Sequence, residues 1–208
     1  MVKRALDAEE DFVYSEEKEA MAGNCHMLYQ RNLVTACDGN ISSKVSKDHI
    51  LLTPSGMNKG LLLPEDIIVL DLSGNTVEGN GRASKEYPMH QLIYQMRPDV
   101  KAVVHTHPVF ATAFALAGKN IPDNYLIETT MMLPDIALAE YAPPGTQALA
   151  EAIRPHVPVS NAVLLKNHGA LTYGKDLTDA YNKMEVLESI AKTIIMSKIL
   201  GEPQVIPG

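Results

Sequence analysis

The stretch Lys101-Ala102-Val103-Val104-His105-Thr106-His107-Pro108 constrains this chain more than any other. An apolar run ending in two histidines one residue apart, and closed by proline, reads as a strand that projects both imidazoles from one face, because side chains alternate sides along an extended chain. Any sheet holding this strand must bury Ala102–Val104 and leave the two rings at its rim, where they can converge on one ion. Two further segments bear on that rim. Glu86 and His90 lie one short helix upstream, and Asn167-His168-Gly169 follows the apolar run Ala162-Val163-Leu164-Leu165. Three neutral imidazoles with a fourth position open or filled by a carboxylate is how a catalytic zinc is held, whereas a structural zinc is closed by four protein ligands. His105, His107 and His168 complete such a set, so His90 reads as a supporting or structural histidine. Read alone, Glu86 is an ordinary carboxylate answering the dipole at a helix start.

Helical and strand patterns interleave along the chain. Ser15 opens a helix to about Arg31, with Met21, Cys25 and Leu28 on its inner face, and short strands follow at Asn40 to Val45, His49 to Thr53 and Ile67 to Asp71. A helix from Glu86 to Met96 leads into the His105 strand, and Pro108 opens another that ends near Gly118. Beyond Ala142-Pro143-Pro144-Gly145 come a helix to about Arg154, strands at Val163 and at Ala170 to Tyr173, and a long helix from Asp176 to Leu200 before Gly201. Tight turns rather than helical crossovers join several strands. An α/β fold is therefore expected, with an antiparallel or mixed sheet and helices on its faces. No repeat or linker divides the 208 residues, which suit a single domain, 1–208.

A formal charge of -7 argues against a nucleic-acid or anionic-membrane surface, so any phosphate must be caught by local donors. Three small polar loops could supply them jointly: Thr35-Ala36-Cys37-Asp38-Gly39-Asn40-Ile41-Ser42, Thr53-Pro54-Ser55-Gly56 and Arg82-Ala83-Ser84-Lys85. Cys25 and Cys37 are too few for a disulfide framework, which fits a reducing cytoplasm. Met1-Val2-Lys3-Arg4 runs into acidic Asp7-Ala8-Glu9-Glu10-Asp11 without an apolar leader, and no stretch approaches a membrane span, so a soluble cytoplasmic protein is expected.

As an ordered set, Gly39-Asn40, Thr53-Pro54-Ser55-Gly56, Ser84-Lys85-Glu86 with His90, Arg97-Pro98-Asp99 before the His105-Thr106-His107 strand, Tyr141-Ala142-Pro143-Pro144-Gly145-Thr146 and Asn167-His168-Gly169 resemble the class II aldolase and adducin family over nearly the whole chain. The resemblance implies a three-layer domain with a central, largely antiparallel sheet flanked by helices, assembled as a homotetramer with active sites at subunit interfaces. It implies one divalent metal per subunit, zinc first and manganese or cobalt as alternatives, on His105, His107 and His168. Glu86 becomes a resting ligand that leaves the metal to move a proton. Phosphate contacts fall on Gly39, Asn40, Ser55, Gly56 and Ser84, with Lys85 standing where the family has a second serine. A further acid donated by the neighbouring subunit falls near Tyr125 and Glu128, and the spacing leaves both open. The implied activity is that of a metal-dependent aldolase cleaving a small-molecule ketose 1-phosphate, of the fuculose or deoxyribulose kind, into dihydroxyacetone phosphate and an aldehyde. The alternatives within the family are a sugar-phosphate decarboxylase, a methylthioribulose-phosphate dehydratase using Glu128, and a non-catalytic adducin-like binding module.

Overall fold

Among the described residues eight short strands make one sheet, three of its neighbouring pairs being joined by turns too small to hold a helix. They are β1 (Asn40–Lys44), β2 (His49–Leu52), β3 (Ile68–Asp71), β4 (Thr76–Glu78), β5 (Ala102–Thr106), β6 (Ala137–Ala139), β7 (Ala162–Leu165) and β8 (Gly169–Gly174). Their order across the sheet is β4-β3-β2-β1-β5-β8-β7-β6. Every pairing is antiparallel except β6 with β7, so the sheet is the mixed, mostly antiparallel one expected. The computed structural model describes residues 13–207; the acidic stretch at Asp7 to Asp11 lies outside the described residues.

Six α-helices cover the two faces: α1 (Ser15–Gln30), α2 (Tyr87–Met96), α3 (Val109–Leu116), α4 (Ile127–Met132), α5 (Gln147–Ile153) and α6 (Leu177–Leu200). Strand alternation decides which face each residue serves. Ala102 and Val104 of β5 join Ile41, Leu164 and Ala170 in a core closed by Met21 and Leu28 of α1, Phe114 of α3 and Met184 of α6. Val103, between them, faces the opposite core, with Leu52, Leu70 and Leu171 beneath Met89 and Ile93 of α2 and Leu149 of α5. Each such buried aliphatic side chain contributes about 1.5–3 kcal/mol through removal from water. The result is three layers: helices, sheet, helices.

Three elements are absent from the sequence reading. β4 and β6 have only three residues each, and α4 has six, too short for any periodicity to show. The helix expected from Glu86 starts at Tyr87, with Glu86 at its N-cap making no capping bond. That carboxylate is used elsewhere.

Helix α3 is tied down from outside. Pro108 at its N-cap has no side-chain acceptor, and Glu188 of α6 fills the role. Its carboxylate accepts the Phe110 N–H at 2.9 Å and the Ala111 N–H at 2.8 Å. Orphan donors at the helix start are thereby satisfied and its dipole is met by negative charge. The segment leaving His107 is anchored to the longest helix of the molecule.

Candidate active site

The end of β5 brings the site together. His105 pairs in register with Asn40 of β1 on one side and Leu171 of β8 on the other, and its side chain is fully buried. Its Nδ1 donates to the Ala170 carbonyl at 3.0 Å, which leaves the Nε2 lone pair facing inward. His107, two residues on, places its own Nε2 3.2 Å from that of His105. His168 arrives from the turn between β7 and β8. Asn167 there has φ 58°, a left-handed conformation, and the His168 N–H returns to the Leu165 carbonyl at 3.0 Å. The three rings stand 4.8 to 5.0 Å apart by centroid.

Two glycines allow this convergence. At Gly39, where φ is 68°, a Cβ would sit 2.6 Å from the His105 carbonyl oxygen. At Gly169 it would sit 2.5 Å from the Thr106 carbonyl oxygen and 2.6 Å from His107 Cδ2. Only a residue without a side chain lets either loop lie this close to β5.

Glu86 faces the cluster from the start of α2. Its Oε2 is 3.3 Å from His105 Nε2 and its Oε1 is 3.2 Å from His168 Nε2. Oε1 and His168 Nδ1 are buried without a hydrogen-bond partner. Since His105 has spent its proton on a carbonyl, its Nε2 turns a lone pair toward a carboxylate, an arrangement that is costly unless positive charge lies between. One ligand atom from each of the three histidines falls within 4.8 Å of the others. Donor chemistry and spacing are consistent with a divalent metal site, His105, His107 and His168 being its imidazoles and Glu86 a carboxylate beside them.

Electrostatics keep these groups in their ligand forms. Burial would raise the Glu86 carboxyl, but the adjoining His105, then His168 and the Asn40 amide, overcome it and hold the group at about 2. Burial, then the neighbouring His105, lowers His168 to about 4, and His107 falls likewise to about 4 with His168 adding to the repulsion. Both rings are neutral at physiological pH. Asp38 lies 3.6 Å from His107 Nδ1, on the ring edge turned away from the cluster. Its negative charge favours the protonated ring and so raises the basicity of His107.

A cavity of about 410 Å³ opens beside the cluster. Its wall joins the three polar loops, Gly39 with Asn40, Ser55 with Gly56, and Ser84 with Lys85, to Glu86, His107 and His168. His105 sits behind them. Residues singled out from three distant stretches of sequence thus share one surface. Asp38 and the Pro144-Gly145 turn, present in the sequence motifs but without a site role of their own there, also line it; a Cβ on Gly145 would sit 3.0 Å from that of Lys85. Tyr125 and Glu128 are elsewhere. Tyr125 packs on the core formed with α1, α3 and α6, and Glu128 is exposed in the first turn of α4.

Asn40 has a specific task. Its Nδ2 donates to Glu86 Oε2 at 2.9 Å, while its Oδ1 accepts from His90 Nε2 at 2.5 Å. The side-chain amide therefore serves the carboxylate. His90, on the inner face of α2, is fully buried; burial, then His105, against a smaller opposing pull from Glu86, lowers it to about 3. It supports the site from behind, as its place in the sequence suggested.

Fold and site together define a protein with a histidine-carboxylate cluster at a sheet rim, of a composition that could hold a divalent metal, next to a loop-built cavity. The chain belongs to the class II aldolase and adducin family: the family's pattern, class II aldolase and adducin N-terminal domain, matches residues 19–195. An L-fuculose phosphate aldolase of Methanococcus maripaludis (strain C7) is 40% identical over 168 residues, covering 81% of this chain and 90% of that protein. A 5-deoxy-D-ribulose 1-phosphate aldolase of Bacillus thuringiensis is 32% identical over 193 residues, covering 92% of this chain and 90% of that protein. A 3-oxo-tetronate 4-phosphate decarboxylase of Haemophilus influenzae is 33% identical over 180 residues, covering 85% of each. Among solved structures, an L-fuculose 1-phosphate aldolase superposes with a TM-score of 0.86 at 34% identity, covering 94% of this chain and 92% of that one.

Proposed function

We propose that this chain is a metal-dependent class II aldolase, a carbon–carbon lyase that reversibly cleaves a ketose 1-phosphate of the L-fuculose-phosphate or deoxyribulose-phosphate type into dihydroxyacetone phosphate and an aldehyde. The observation that carries this reading is Glu86, an ionised carboxylate 3.3 Å and 3.2 Å from the Nε2 atoms of two convergent histidines and on the wall of the polar cavity. His105, His107, His168 and, at rest, Glu86 would hold one divalent ion per subunit, zinc foremost and manganese or cobalt as alternatives. When bound, the ion supplies Lewis-acid polarisation of the substrate carbonyl and stabilises developing negative charge.

The remaining work falls to side chains of this protein. In synthesis Glu86 removes a proton from the hydroxymethyl carbon of dihydroxyacetone phosphate, the carbon that becomes C3 of the ketose; in cleavage it returns a proton to that same carbon. The C3–C4 bond breaks with its electron pair left on C3, and the C4 hydroxyl gives up its proton as the aldehyde departs. Tyr125 or Glu128 from a neighbouring copy would handle that second proton. Neither lines its own chain's cavity, which suits donation across the interfaces of a homotetramer. Gly39, Asn40, Ser55, Gly56, Ser84 and Lys85 hold the phosphate. With a net charge of -7, capture relies on these short-range donors, and Lys85 is the cation among them.

We further place the whole chain, 1–208, in one such domain acting in the cytoplasm, with no nucleic-acid or membrane partner. The acidic charge supports this, and no helix among the described residues is long and apolar enough to cross a membrane. The test of the activity is a panel of ketose 1-phosphates and a 3-oxo-tetronate 4-phosphate, assayed for dihydroxyacetone phosphate and carbon dioxide with zinc, manganese or cobalt. Dihydroxyacetone phosphate release is expected. Carbon dioxide alone would favour the decarboxylase reading, which rests on the Haemophilus influenzae relative. Consumption of a ketose 1-phosphate with neither product released would favour the dehydratase reading through Glu128. An adducin-like binding module would fail to retain stoichiometric metal.

A further inference from the structure

Behind the cavity, five side chains are joined end to end. Tyr94 Oη lies 2.7 Å from Ser42 Oγ, which lies 2.7 Å from His90 Nδ1. His90 Nε2 lies 2.5 Å from Asn40 Oδ1, and Asn40 Nδ2 lies 2.9 Å from Glu86 Oε2. Ser42 and His90 are fully buried, Asn40 and Tyr94 nearly so. Protein interiors usually satisfy polar groups pairwise or against the backbone, so an unbroken side-chain line ending on a carboxylate in the cavity wall asks for an explanation.

The line has only one self-consistent direction. A carboxylate accepts and never donates, so Asn40 must turn its amide N–H toward Glu86 and its carbonyl toward His90. That carbonyl needs a donor, which puts the His90 proton on Nε2. A neutral ring then has a bare Nδ1, so Ser42 must donate to it, and the Ser42 oxygen is left to accept from the Tyr94 hydroxyl. Each proton position follows from the Glu86 charge, read outward. Read inward, each donor fixes the next. Were His90 in the other tautomer, Asn40 would gain by flipping, and its carbonyl would then oppose the carboxylate.

We propose that Tyr94, Ser42 and His90 form a one-directional hydrogen-bond relay that locks the Asn40 amide and so aims the Glu86 carboxylate for proton transfer. They are positioning residues, and the proposal deepens the aldolase reading and rests on it. Glu86 has to leave one set of partners and deliver a proton at a defined carbon, and misplacement of a reacting group by about 1 Å can cost about a hundredfold in rate. A relay anchored on α2 and β1 supplies the fixed reference from which that motion starts.

The experiment compares His90→Gln, His90→Leu, Ser42→Ala and Tyr94→Phe with the parent. Glutamine can donate to Asn40 from nearly the position of Nε2 and accept from Ser42; leucine can do neither. The first readout needs no catalysis: ring ¹⁵N shifts of His90 in the metal-free protein should show the Nε2–H tautomer. The second is the exchange of the hydroxymethyl hydrogen of dihydroxyacetone phosphate with deuterated solvent, measured in the zinc-loaded protein alongside kcat and KM for cleavage. His90→Leu should slow exchange and kcat by about thirtyfold with KM and zinc content held within about twofold, and His90→Gln should recover to within about threefold of the parent. Ser42→Ala, which removes one oxygen and keeps the protein folded if leucine does not, should lose about tenfold in both rates. Tyr94→Phe, furthest from Glu86, should lose least. Equal losses in the glutamine and leucine variants would overturn the relay, as would Ser42→Ala at parental rates or His90 carrying its proton on Nδ1. If the parent neither exchanges nor cleaves, the aldolase reading fails while the tautomer measurement still decides whether the relay exists.

Discussion

Acid should unfold the metal-free protein in a range where carboxylates are still ionised, and His90 should account for a measurable share of the loss. The ring is fully buried, and burial, with His105 adding and Glu86 opposing, takes it from 6.5 to about 3. Between those values the unfolded chain binds a proton that the folded chain refuses. The contribution of His90 to stability is therefore complete above about pH 6.5 and drains away as pH falls toward 3. Integrated from pH 7 to pH 5, a group with these two constants loses about 2 kcal/mol, a substantial part of a typical domain stability of about 5–15 kcal/mol. Urea unfolding of chelator-treated protein at pH 7 and pH 5, followed by far-ultraviolet circular dichroism, measures the loss. The same pair of titrations on His90→Gln, which cannot take up a proton, should show a pH-dependent loss smaller by about 2 kcal/mol. His107 and His168, lowered to about 4, titrate in both proteins and cancel in the difference. Equal pH dependence in the two proteins would mean that His90 is accessible to protons in the folded state, and the burial argument would be wrong.

His107→Ala should abolish stoichiometric zinc by elemental analysis and, with it, activity, while the circular dichroism spectrum persists; full metal content would refute the ligand assignment. Glu86→Gln preserves size but cannot accept a proton, so turnover should fall about a hundredfold or more with KM little changed, and near-parental turnover would move the proton transfer to another group. Lys85→Ser should raise KM for a phosphorylated ketose about tenfold with kcat nearly unaltered, whereas an unchanged KM would leave phosphate capture to hydroxyls and backbone amides. Glu188→Ala removes the carboxylate that receives the Phe110 and Ala111 N–H groups and should cost about 1–2 kcal/mol in urea unfolding; no loss would mean that water replaces the cap.

The convergent histidine cluster was legible in the sequence because two independent rules meet in the same residues. Period-two alternation puts His105 and His107 on one side of a strand, and zinc chemistry favours imidazoles there, so no tertiary information was needed to pair them. His168 was legible because it follows a second apolar run of strand length. Asp38 was not. It stood in a loop read as a turn, and its carboxylate reaches His107 at 3.6 Å only because Gly39, at φ 68°, folds that loop onto β5. Strands β4 and β6 went unread for a different reason: three residues define no period, and their pairing with β3 and β7 is decided by the neighbours already in place.

The relay behind Glu86 was illegible for a reason that itself points to function. On the face of the sheet beneath α2, strands β2, β3 and β8 present Ile50, Leu52, Ile68, Leu70 and Leu171 to an apolar core. Strand β1 breaks the rule on that same face, presenting Asn40 and Ser42, both buried. From sequence alone, Asn40-Ile41-Ser42-Ser43-Lys44 looks like a weak strand with one apolar residue and a solvated side. The β1 register removes that option: Asn40 opposite His105 and Ser42 opposite Val103 turn the polar side into the protein, where both side chains are buried. Burying an unpartnered amide and hydroxyl would cost about 1–3 kcal/mol each, so α2 has to bring matching polar groups, and it brings His90, Tyr94 and Glu86. A local rule broken inside a core, and repaired by residues that lead to the carboxylate proposed to move the proton, is the form a functional constraint takes.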